Sequence, residues 1–78
     1  MPEMIRLESD EDRCQYALLR EAGETGRTRY GAAMYFYMRG MIGPETLEVY
    51  RVCSGLDRED PIATLNALGL AHEIRPVN

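Results

Sequence analysis

The chain has 78 residues, 13 of them acidic and 9 basic, for a formal net charge of −4 at neutral pH. That length predicts a single helical domain over residues 1–78 with a thin core, and the acidic balance argues against non-specific nucleic-acid binding. Two cysteines are too few for a disulfide scaffold, and neither a bilayer-length apolar run nor a charged-then-apolar leader is apparent, so a cytoplasmic location is expected.

Met4 to Glu8 alternates loosely and reads as an extended lead-in. Ser9-Asp-Glu-Asp then supplies an N-cap and three acids in a first turn, where the helix dipole favours negative charge. Ser9 and Asp12 stand at capping-box spacing. Cys14, Ala17, Leu18 and Glu21 fall on one stripe, and Gly23 offers a stop, so the first helix is predicted over about 9–22.

The second helix is predicted over 28–39, ending at Gly40. Its interior, Ala32-Ala33-Met34-Tyr35-Phe36-Tyr37-Met38, is apolar on seven consecutive positions, so its second half has no wholly polar side. Alanine, methionine and the lack of β-branching favour helix over a buried strand. Pro44 suits the first position of a third helix, 44–54, with Leu47, Tyr50 and Cys53 on one stripe, Val49 and Val52 beside it, and Gly55 as the stop. Asp60-Pro61 repeats the cap-plus-proline signal for a short fourth helix, 61–68, closed by Gly69. The tail contains Pro76 and reads as extended, with pairing to residues 4–7 a weak alternative. The predicted fold is all-α: a small bundle of four short helices with extended termini.

Charge is distributed unevenly. Residues 1–24 carry seven acids against three arginines, and residues 45–60 five acids against two. Residues 25–44 carry no acid and three arginines: Arg27, Arg29 and Arg39. The most apolar helix is thus the only cationic segment, and Arg27 and Arg29 sit at the helix end where cations are disfavoured. Carboxylates must meet them, either from the neighbouring helices or from a partner. All nine basic residues are arginine, a bias expected of a GC-rich bacterial genome.

The sequence offers little for catalysis or metal binding. Cys14, Cys53 and His72 stand apart with no zinc-ligand spacing, and both cysteines read as small apolar residues on helix stripes. No serine, carboxylate pair or glycine pattern forms a nucleophilic site or phosphate loop, so no catalytic residue, metal or cofactor is expected. A helix-turn-helix at Gly55 or Gly40 would point acids at DNA phosphates.

One constellation is distinctive. Tyr30, Met34, Tyr37, Met38 and Met41 share a stripe at spacings of 3, 4 and 7, with Tyr35 and Phe36 on adjoining faces. Three short helices can hardly cover the whole circumference of this helix, and tyrosine, methionine, phenylalanine and arginine are enriched at protein interfaces. The expected interface is therefore Tyr30, Met34, Tyr35, Phe36, Tyr37, Met38 and Met41 with Arg27, Arg29 and Arg39. The expected partner is a second copy, giving a dimer, or an acidic protein surface. The expected function is non-catalytic protein–protein interaction. The alternatives are an accessory subunit of a larger bacterial enzyme and a nucleic-acid-associated regulator using the three arginines.

Overall fold

The computed structural model describes residues 3–20, 26–56, 60–70 and 74–77. Ser9 opens the first helix, α1 (Asp10–Arg20), through the reciprocal pair that its spacing predicts. Its hydroxyl accepts the Asp12 N–H at 3.1 Å, and the Asp12 carboxylate accepts the Ser9 N–H at 3.1 Å. The second helix, α2 (Gly26–Met38), begins two residues before the predicted boundary. It ends in a motif that only a left-handed residue permits: Gly40 has φ +74°, its N–H reaches the Tyr37 carbonyl, and the Met41 N–H reaches back to Phe36. The fourth helix, α4 (Pro61–Ala67), closes in the same way, with Gly69 at φ +78° and the Leu70 N–H on the Leu65 carbonyl.

The third helix, α3 (Pro44–Leu56), runs through Gly55 rather than stopping before it. Glycine is weakly helix-forming but not prohibitive, and Gly55 keeps ordinary helical φ. Helix α4 starts as its sequence signal requires: Asp60 has extended backbone angles and its side chain accepts the Ile62 N–H at 2.9 Å, with Pro61 in the first turn. The predicted ends of the first helix at 21–22, the Gly23 stop and His72 lie outside the described residues.

Helices α1, α2 and α3 alternate in direction. The start of α1 meets the end of α2 through Asp12 and Tyr35, and the start of α2 meets the end of α3 through Gly26 and Cys53. The extended termini do pair: β1 (Glu3–Arg6) and β2 (Ile74–Val77) form a two-stranded parallel sheet with Glu3 opposite Ile74 and Arg6 opposite Val77. This small sheet accompanies the four-helix bundle and contributes Ile5 and Ile74 to its core.

The core is Ile5, Leu19, Ala32, Ala33, Phe36, Ile42, Tyr50, Leu65 and Ile74. One stripe departs from expectation. The buried face of α1 is Asp12 and Leu19, with Tyr16 partly buried between them, while Cys14 is exposed. A carboxylate takes the apolar residues' place because α2 supplies partners for it. Cys53 is buried as predicted, and both thiols are free.

Candidate interaction surface

Helix α2 organises the molecule, and its ten predicted interface residues divide into inward and outward groups. Phe36 is fully buried, in edge contact with the Tyr35 ring at a centroid distance of 5.1 Å and an interplanar angle of 88°. Arg29 is also internal, 2% exposed, and its Nη1 donates to the Asp60 carboxylate at 2.8 Å. Both were expected at an interface, and neither offers its side chain to solvent. The reason is geometric: Arg29, Ala32, Ala33 and Phe36 recur at helical spacing on the side of α2 that faces the core.

Tyr35 and Arg39 belong to a second cluster, built on the buried Asp12 carboxylate with Arg39 at its exposed edge. The Tyr35 hydroxyl donates to Asp12 Oδ1 at 2.5 Å, and Arg39 Nη1 donates to the Tyr35 hydroxyl at 2.8 Å and forms an ion pair with Asp12 Oδ1 at 3.1 Å. The other Asp12 oxygen accepts the Glu8 and Ser9 amides. Donation by Tyr35, helped by those amides and the Arg39 charge, outweighs burial and holds the Asp12 carboxyl below its ordinary 3.8. The same bond pushes the Tyr35 hydroxyl above its ordinary 10.0. Arg29 likewise holds the Asp60 carboxyl down. Two of the three arginines are thus met by carboxylates of this chain, the intramolecular arrangement that the charge pattern allowed. Sequence reasoning assigned Asp12 to a cap alone and missed its bond to a tyrosine 23 residues away.

The outward side of α2 keeps a narrower set than predicted. Arg27, Gly31 and Met38 are exposed, Tyr30 and Met34 are partly covered, and Tyr37 is at the exposed margin. Met38 is the most exposed large apolar residue described, at 78%. Met41 turns inward, its sulfur accepting the Arg6 N–H at 3.4 Å. Gly31 is notable because, among the described residues and apart from its own helix backbone and chain neighbours, no atom lies within 4 Å of where its Cβ would be. An exposed mid-helix glycine costs about 1 kcal/mol relative to alanine, and nothing within the described chain requires one.

A second apolar surface was not anticipated. Glu48, Val49, Val52, Cys53, Leu56 and Thr64 line a groove of about 360 Å³ between α3 and α4. Val52 is 47% and Leu56 59% exposed. The signal was present in the sequence as Val49 and Val52 beside the main stripe. Glu48 at its rim is held by Arg51 through two hydrogen bonds, which lower its carboxyl from the ordinary 4.5.

Among the described residues no group of three or more His, Cys, Asp or Glu side chains converges as a metal site, and no helix is long and apolar enough to cross a membrane. No protein-family model matches the chain, and comparison with curated proteins and with solved structures finds no match.

Proposed function

We propose that this chain is a non-catalytic protein–protein interaction module that associates with a second copy of itself through the outward face of α2. The observation that carries the reading is that face itself: Met38 stands in solvent, beside Tyr37 and above Met34 and Tyr30, on the helix that also supplies the core. A soluble chain gains nothing by displaying flexible methionines and aromatic rings together, whereas interfaces are enriched in both. Gly31 adds a flat place on the same face where another backbone can approach. With Arg29 and Arg39 engaged internally, Arg27 alone of the three remains for a partner, which favours protein contact over phosphate binding.

The test is the mass of the purified chain in solution over a range of concentrations, for the wild type and for Met38→Asp. Association that rises with concentration and is lost in the variant supports the reading. A wild type that stays monomeric, or a variant that associates unchanged, overturns it.

A further inference from the structure

The outward face of α2 and the α3/α4 groove have features that match each other. The α2 stripe runs from Arg27 past Gly31 and Met34 to Met38, and all of it lies on one side of the helix. One flank of α3 runs from Glu45 past Glu48, Val49 and Val52 to Leu56, again on one side. Both stretches cover eleven helical steps, roughly 16 Å. Each begins with an exposed charge, positive on α2 and negative on α3, and beyond Glu48, which Arg51 holds at the rim, the α3 flank is apolar to its far end as the α2 stripe is. No α2 residue lines the groove, so a chain does not fill it with its own stripe.

Resting on the self-association proposed above, we infer that the α2 stripe of one copy docks in the α3/α4 groove of a second. The two helices run parallel, with Arg27 beside the partner copy's acidic groove end and Met38 over its apolar end. This arrangement accounts for two oddities of the isolated chain. The first turn of α2 carries Arg27 and Arg29 and no acid of its own; Asp60 meets Arg29, and a second copy's Glu45 supplies an acid for Arg27. Gly31, costly and unneeded in the monomer, becomes the point of closest approach, where a side chain would hold the stripe away from the groove. Methionine suits the role because its unbranched side chain adapts to an irregular groove. The contact joins two different surfaces, so each copy carries one of each.

Complementation tests this directly. Met38→Asp spoils the stripe and leaves the groove, and Val52→Asp spoils the groove and leaves the stripe. Both positions are largely exposed, so both variants are expected to fold, with circular dichroism as the check. Each variant alone should associate about tenfold or more weakly than the wild type, because an aspartate must be buried in an apolar contact. Mixed, they retain one intact stripe and one intact groove and should form a one-to-one pair where neither associates alone. Sedimentation with one variant labelled at the exposed Cys14 reads this out. If Val52→Asp associates like the wild type while Met38→Asp does not, the groove inference fails and the α2 proposal stands. If Met38→Asp also associates normally, both fail. Two monomeric variants that do not pair on mixing likewise overturn the stripe-in-groove contact.

Discussion

Gly26 provides a sharp mechanical test of how α2 and α3 pack. A Cβ at this position would lie 2.6 Å from the Cys53 carbonyl oxygen and 3.0 Å from the Ser54 Cα. Both are backbone atoms, so no change of rotamer relieves the clash and the helices must separate. Overpacking of this kind costs about 1–3 kcal/mol, while alanine's better helix propensity returns at most about 1 kcal/mol. Gly26→Ala should therefore destabilise the chain by on the order of 1–2 kcal/mol, a loss of roughly 4–15 °C in Tm for a domain of this size. Against a total stability of about 4–12 kcal/mol, that is easily resolved by urea unfolding followed by circular dichroism. Gly31→Ala is the internal control: the same change on the same helix, but with no atom of another described element within 4 Å of the new methyl. It should stabilise by about 0.5–1 kcal/mol when measured at low protein concentration. A Gly26→Ala variant as stable as the wild type would refute the close approach of α2 to α3.

Three further outcomes follow from the core and the ion pairs. The Tyr50 hydroxyl is buried without a hydrogen-bond partner among the described residues, and burial pushes its ionisation above the usual phenol range. Tyr50→Phe removes an unsatisfied polar atom and should leave stability unchanged or raise it by up to about 1 kcal/mol in thermal unfolding. Asp60 both caps α4 and meets buried Arg29. Asp60→Ala should cost more than Asp60→Ser, which keeps a capping oxygen and loses only the ion pair, and the difference in urea midpoints isolates the cap at about 1 kcal/mol. Acid should unfold the chain through Asp12 and Asp60. Their folded-state carboxyls lie below the ordinary 3.8, so their stabilisation is complete above that value and is lost as pH falls through the folded-state values. Asp12→Asn should lower stability at neutral pH and flatten that acid limb in a pH series of thermal melts.

Most local signals in the sequence held, the Gly55 stop being an exception, and long-range ones did not. Gly40 and Gly69 announced helix ends, and Asp60-Pro61 announced a start, because each solves a backbone problem within one turn. Four helices packed in a bundle followed from those signals and from apolar spacing. The pairing of the termini did not, because Met4–Arg6 and the Pro76 tail alternate too weakly to specify a partner some 70 residues away. The α1 stripe was misread for a related reason: Asp12 is polar by itself and buried only because Tyr35 and Arg39 satisfy it. For the proposed interaction surface, composition singled out α2, but packing buries Phe36 and Arg29 and engages Tyr35 and Arg39 in bonds within the chain. Arg27, Tyr30, Met34, Tyr37 and Met38 are left near or at the surface. Helical spacing gives the angles between side chains, and neighbours decide which angle faces water.

The most direct measurement is the rate at which dilute peroxide oxidises individual methionines as protein concentration rises, read by peptide mass spectrometry. In a single chain Met38 is more exposed than Met4, 78% against 46%, and should oxidise faster. Association through α2 predicts that raising the concentration slows Met38 selectively and leaves Met4 unchanged. A Met38 rate independent of concentration, over a range where the chain stays folded, would contradict the account.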